Sequence, residues 1–309
     1  VTHASWPWIF YLNLPLGVLA LLATWVLIPR RNEASQRPFD FGGFVLLGVA
    51  CTALLYGMEM LGQGRASQWP GLLVTVLGLT CGALAWAHMR KREHPLMNVA
   101  VIGIRTFSVS LFGGSLFRIA ISTLPFLLPL MFQLGFGLSA FDSGLLVLGV
   151  FAGNLAMKPF TTAIMQRWGF RPVLMINGVI GVLAIAACAL LDEQMGWPLI
   201  LLILFVGGLS RSMQFTAFNT LGFADVPKAQ MSDASTMFSM FFQLSMGLGV
   251  AIAALLLRGA MYLHGNEGQA HTADFQLTFI GVAVIALLAL LDNRRLSAQA
   301  GAAVLQRKA

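Results

Sequence analysis

The sequence predicts an all-α polytopic membrane protein, on three observations. About nine apolar stretches have membrane-spanning length, and basic residues gather in every second gap between them. The composition is 58% hydrophobic and only 10% charged over 309 residues. An α-helix needs about 20 apolar residues to cross roughly 30 Å of hydrocarbon, and a soluble domain carries about 25% charged residues. In chain order the predicted spans are 8–28, 41–62, 70–88, 106–132, 141–163, 173–191, 197–217, 234–263 and 275–291.

The first span opens on Ser5-Trp6-Pro7-Trp8, whose indoles suit the membrane interface, and it contains Pro15. A neighbouring helix can re-satisfy the carbonyl that such a proline frees. The next two spans carry Cys51 and Cys81; with Cys188 these read as small buried hydrophobes without metal-ligand or disulfide spacing. Glu59, in the last turn of the second span, is the one carboxylate inside a predicted span. Span 141–163 carries Gly149 and Gly153 at small-xxx-small spacing, and Gly247 and Gly249 thin the span 234–263, both suited to close helix approach. Met237, Met240 and Met246 could line an adaptable pocket or simply fill core and lipid-facing positions. Asn154 and Gln243 read as interhelical hydrogen-bonding groups.

Charge sets the topology. Arg30, Arg31 and Arg37 follow the first span, Arg90, Lys91, Arg92 and Arg105 the third, and Arg167 and Arg171 the fifth. Lys228 follows the seventh span, and Arg294, Arg295, Arg307 and Lys308 the ninth, while the alternate gaps hold only Arg65. Basic loops stay cytoplasmic, so the C-terminus is expected inside and Val1 outside. The net charge of +7 is spread over membrane-edge loops, which points to anionic headgroups and away from nucleic acid. The dispersed histidines argue against a metal site. No Gly-rich phosphate loop with its Lys is present, and no catalytic constellation is visible, so an enzyme is not expected.

Buried cations stand out instead. Arg118 is about the twelfth residue of its predicted span, roughly 18 Å from the cytoplasmic end, and Arg211 about six residues, roughly 9 Å, from the end of its own. Each costs about 2.5–3.5 kcal/mol at mid-helix unless paired or hydrated. Ser115, Arg118 and Ser122 share one helix face, as do Gly207, Arg211 and Gln214. These residues are the candidate substrate or cavity groups; the alternative is that each arginine pairs locally and locks the bundle. Lys158 reads as a snorkelling anchor, and Arg258 lies near the outer end of a long span.

Several motifs in order resemble one family. They are Trp6-Pro7-Trp8-Ile9-Phe10-Tyr11 with Asn13-Leu14-Pro15-Leu16-Gly17, Glu93-His94-Pro95-Leu96, Leu128-Pro129-Leu130-Met131-Phe132-Gln133, Asp225-Val226-Pro227, and Gln243-Leu244-Ser245-Met246-Gly247-Leu248-Gly249-Val250. Together the run is similar to spans six to fourteen of the fourteen-span drug:proton antiporter branch of the major facilitator superfamily. The family's inner-loop motif Gly-x-x-x-Asp-Arg-x-Gly-x-Arg-Arg is matched by Arg167, Gly169 and Arg171, but Thr162, Gln166 and Pro172 depart from it. The departure removes the carboxylate and puts a charge-relay role for that loop in doubt.

The resemblance implies that residues 1–28 are the last helix of an N-terminal bundle and 29–105 a central linking pair with cytoplasmic loops. It makes 106–291 a six-helix C-terminal bundle of two inverted three-helix repeats, and 292–309 a cytoplasmic tail. It further implies an integral bacterial inner-membrane protein and alternating-access, proton-coupled efflux of drug-like amphiphiles. The proton gradient then serves in place of a cofactor, and membrane lipids and a small-molecule substrate are the partners. The proton carboxylate and the first five spans would lie in an N-terminal bundle missing from this sequence and needed for function. The alternatives are an organic-anion carrier using Arg118 and Arg211, and a non-transporting membrane fragment.

Overall fold

A computed structural model describes residues 8–27, 38–63, 67–266, 268–297 and 299–305. Its long helices are α1 (Trp8–Leu27), α2 (Phe41–Gln63), α3 (Gln68–Lys91), α4 (Arg105–Leu130) and α5 (Ala140–Trp168). They continue as α6 (Phe170–Cys188), α7 (Trp197–Ala224), α8 (Met231–His264) and α9 (Thr272–Asn293). No strand occurs among the described residues. Eight of these helices, α2 to α9, are long and apolar enough to cross a membrane, and the described part of α1 adds a shorter apolar helix, Asn13–Leu27. The fold is an all-α polytopic membrane protein, with one helix for each predicted span. Trp6, Arg65 and the arginines at 30, 31, 37 and 307 lie outside the described residues.

The helices overrun the predicted spans at several ends. α5 continues to Trp168 and α7 to Ala224, and α8 reaches 34 residues. Hydropathy registers only hydrocarbon, whereas backbone hydrogen bonding carries a helix on into the interface, where long charged side chains reach water. The predicted loop 164–172 therefore shrinks to Gly169, at φ +79, a left-handed conformation that costs glycine no Cβ clash. The longer helices also take in Asp233, Asp274 and Asp292 near their ends, and Asp142 already falls at the start of the predicted span 141–163, which corrects the expectation that Glu59 is the only carboxylate within a span.

Two compact units divide between Phe39 and Asp40. The first contains α1, where Thr24 back-bonds to the Ala20 carbonyl at 2.7 Å. In the second, α2 and α3 form a tight hairpin. A Cβ on Gly57 would lie 2.6 Å from the Thr75 amide nitrogen, and one on Gly78 2.7 Å from that of Leu54. Backbones this close need glycine, and such close approach drives helix association where lipid is as apolar as the partner helix.

The six helices α4 to α9 pack in a repeating pattern. α4 packs on α8 as α7 packs on α5, and α4 on α9 as α7 on α6; α4 also meets α7, and α6 meets α9. The pattern maps onto itself when α4, α5 and α6 exchange places with α7, α8 and α9. Three crossings separate α4 from α7, so the two repeats run in opposite senses. Small residues make the crossings: a Cβ on Gly153 would collide with the Phe205 carbonyl oxygen, and one on Gly208 with that of Val150. On the α4–α8 side, Gly249 is pressed against Ser122 and the Ile119 carbonyl in the same way.

α4 lies at the centre, buried along most of its length. Pro125 and Pro129 remove amide donors in its last turns, and the helix widens into a π turn over Met131–Gly135. The residues after α9 fold back beneath the bundle. Leu296 is 2% and Ala300 9% exposed, packed with Phe170 and Leu221, so the expected tail is in part a lid on the core.

Candidate functional site

Arg118 sits about 13 residues into α4, roughly 20 Å from its basic end at ~1.5 Å per residue. The side chain is 1% exposed. Its Nη2 donates to Asn219 Oδ1 of α7 at 3.3 Å and its Nη1 to the Ser110 carbonyl at 3.5 Å. Both contacts are long for N–H···O bonds, and Nε has no partner in the described structure. Aromatic faces supply the rest. The guanidinium carbon lies 4.5 Å from the Phe238 ring centre and 5.3 Å from that of Phe242, both on α8. A desolvated cation over such rings gains about 2 kcal/mol. Gly114 makes the space, since a Cβ there would lie 3.0 Å from Nη1.

Arg211 lies deeper than its predicted span suggested. α7 continues to Ala224, so Arg211 is about 13 residues, roughly 20 Å, from the basic end. Its Nη1 is buried without a partner in the described structure. It borders a narrow cavity with Phe117, Ile121, Ala184, Gly207 and Ser210, with room on the order of one water. No ion pair among the described residues involves Arg118 or Arg211.

The two predicted stripes are turned to different neighbours. On α4, Arg118 faces α7 and α8, whereas Ser122 donates to the Ile119 carbonyl at 3.0 Å and lies in the α4–α8 seam against Gly249. Ser115 is buried with its hydroxyl unpartnered. On α7, Gln214 turns to α6, where its Nε2 donates to the Leu174 carbonyl at 3.2 Å and its Oε1 accepts from Asn177 at 2.9 Å. Asn177 and Ser210 complete that network, at 2.9 and 3.0 Å to each other's carbonyls. Arg118 does not line the cavity that Arg211 borders; the two cations share a depth but not a chamber.

The remaining candidates lie at the periphery. Arg167 ends α5 and Arg171 opens α6, both exposed on either side of Gly169 and without an ion pair among the described residues. Lys158 is exposed. Arg258 donates to the Leu61 carbonyl at 3.2 Å and so caps the end of α2 from α8, satisfying a carbonyl that the helix leaves free.

Sequence reasoning missed several partners. Asp40, 5% exposed, accepts from the Gly43 amide at 3.0 Å, His88 Nε2 at 2.9 Å and the Leu96 amide at 3.2 Å, and so ties the start of α2 to the end of α3. The His88 hydrogen bond, helped by the two amides, holds its carboxyl below the ordinary 3.8 against the opposing effect of burial. An Asp directly before an apolar run is a readable N-cap signal. Asp274, fully buried, likewise binds His264 Nδ1 at 2.6 Å, Asn266 and the His271 amide, and joins α8 to α9. An internal echo was also legible: Gly113-Gly114 precedes Arg118 as Gly207-Gly208 precedes Arg211.

Comparison with known proteins agrees with this architecture. The sequence model of the Major Facilitator Superfamily matches residues 1–250 and, in a second alignment, 111–298. A relative from Pectobacterium atrosepticum, provisionally named multidrug resistance protein MdtD, is 36% identical over 95% of this chain and 63% of its own length. Proteins of the same provisional name from Pectobacterium carotovorum and Klebsiella pneumoniae are 35% and 34% identical over the same shares. The chain thus spans about 63% of the length of these curated relatives. Membership of this transporter family accords with the membrane-crossing helices. With the repeat-paired bundle and the family match in agreement, the chain belongs to the Major Facilitator Superfamily.

Proposed function

We propose that this chain forms part of a secondary transporter of the bacterial inner membrane that exports drug-like amphiphilic molecules by alternating access, coupled to protons. The observation that carries the reading is Arg118, a mid-membrane cation held by two aromatic rings and two long bonds to neutral acceptors. Such a group has capacity left for an anion, because none of the described residues forms an ion pair with it. A carboxylate presented in one state of a transport cycle and withdrawn in another would shift the balance between those states. The relatives' provisional name supports drug-like cargo, and the paired repeats support a rocking mechanism. The basic residues at one end of the bundle support a cytoplasmic position for that end and for the C-terminus.

The test is substrate efflux by the transporter carrying Arg118→Ala or Arg118→Lys, with membrane insertion measured alongside. Losing a desolvated cation worth about 2 kcal/mol to its surroundings corresponds to roughly a 30-fold fall in rate if the interaction is made in only one state. Lys should recover part of it, keeping the charge without the planar fork. Normal insertion with wild-type efflux in both variants would overturn the reading.

A further inference from the structure

A second cavity, unconnected with either arginine, lies between the α2–α3 hairpin and α8. Its cavity volume is about 160 Å³, and its lining is almost wholly apolar. Four thioethers shape it: Met89 of α3, Met97 of the following loop, and Met237 and Met240 of α8. The far half of the α2–α8 seam is sealed, with Gly247 against Leu55, Gly62 against Ala254, and Arg258 on the Leu61 carbonyl. Toward the basic end the cavity occupies the seam, lined by Leu47, Ala50 and Cys51 of α2 and by Met237 and Met240 of α8.

The mouth has a charge. Trp86 lines the cavity yet is 40% exposed, so it stands at the opening, near the end of α3 where an indole suits the interface. Arg90 follows it by four residues, on the same helix face, and is exposed together with Lys91 and Arg92. Glu93 follows and leaves the cluster net positive. An apolar chamber between membrane helices, near the three exposed cations that follow Trp86, matches one chemistry: a long alkyl chain bearing an anionic head. Thioether walls repack readily around chains of differing length and unsaturation, and basic pockets between membrane helices recruit acidic headgroups. We infer that this cavity holds one acyl chain of an anionic phospholipid, with its headgroup on Arg90, Lys91 and Arg92.

The test uses the full chain in phosphatidylcholine nanodiscs containing a small fraction of phosphatidylglycerol with a diazirine in one acyl chain, irradiated and mapped by peptide mass spectrometry. Adducts are expected on the segments holding Gly82 to Met89 and Met237 to Met240, and unlabelled phosphatidylglycerol should displace them while phosphatidylcholine does not. Each of Arg90→Gln, Lys91→Gln and Arg92→Gln should lower the preference for the anionic lipid by about fivefold, equivalent to about 1 kcal/mol. Gly82→Trp should abolish the cavity adducts, since a Cβ at that position fits at 3.8 Å from Ala50 and the ring fills the space beyond. Adducts on lipid-exposed Leu155 and Phe160 of α5 report whether that variant is folded; if they too disappear, competition on the unmutated chain decides. The proposal fails if cavity adducts are no more frequent than those on α5, or if the two lipids compete equally. It also fails if an amphiphilic cation such as tetraphenylphosphonium displaces the adducts and phosphatidylglycerol does not, which would make the cavity a cargo site.

Discussion

Replacing Gly153 by Ala should loosen the crossing of α5 and α7, and its cost can be worked from the backbone. The added Cβ would collide with the Phe205 carbonyl oxygen while lying 2.9 Å from its carbonyl carbon and 3.0 Å from the Leu209 nitrogen. All three are backbone atoms, so no rotamer change relieves the clash and the helices must separate by on the order of 1 Å. Overpacking of this kind costs about 1–3 kcal/mol, outweighing the roughly 1 kcal/mol by which Ala favours a helix over Gly. Gly208→Ala makes the reciprocal clash with Val150 and should cost a similar amount. Because one displacement relieves both collisions, the double variant should be less destabilised than the sum of the singles, as neighbours sharing a backbone shift are not additive. Gly144→Ala, on the same helix with nothing within 4 Å of its Cβ, is the control and should be neutral or stabilising. The assay is unfolding by dodecyl sulfate in mixed micelles, followed by circular dichroism. Wild-type stability in Gly153→Ala, or equal losses in Gly144→Ala and Gly153→Ala, would refute the reasoning.

The remaining predictions concern charge. Asp40, with its carboxyl held below 3.8 by His88, contributes stability that is fully present above the ordinary carboxylate range and is lost as pH falls through its lowered native value. Hydrogen exchange at the ends of α2 and α3 should therefore accelerate below about pH 4, and Asp40→Asn should show fast exchange there already at neutral pH. An unchanged exchange profile in that variant would mean the Asp40 cluster does not hold the hairpin. For topology, Cys introduced at Glu93 should label from the cytoplasmic side, and Cys at Gln68 or Gln269 from the other; an exchange of the two sides would reverse the orientation proposed from the basic residues, and labelling of all three from one side would refute the alternation of loops itself.

The number and order of the helices were legible in the sequence because the bilayer demands them. Each crossing needs an apolar run of fixed length, and the gaps carry the basic residues. The depth of Arg118 was legible on the same ground, as was the small-residue crossing at Gly149 and Gly153. Arg211 was placed too shallow, because hydropathy fades before the α7 backbone stops being helical. What the sequence by itself could not determine is the rotation of each helix about its axis. In water, an amphipathic stripe marks the buried face; here lipid and protein interior are equally apolar, so a helix such as α5 shows little to distinguish Gly153, packed on Phe205, from Leu155, exposed to lipid. Only tertiary packing decided that Gln214 turns to Asn177, that Arg118 lies between Phe238 and Phe242, and that the two arginines occupy separate surroundings. Those choices follow from where glycines let backbones touch, and a close approach is a property of two helices together that neither sequence segment encodes alone.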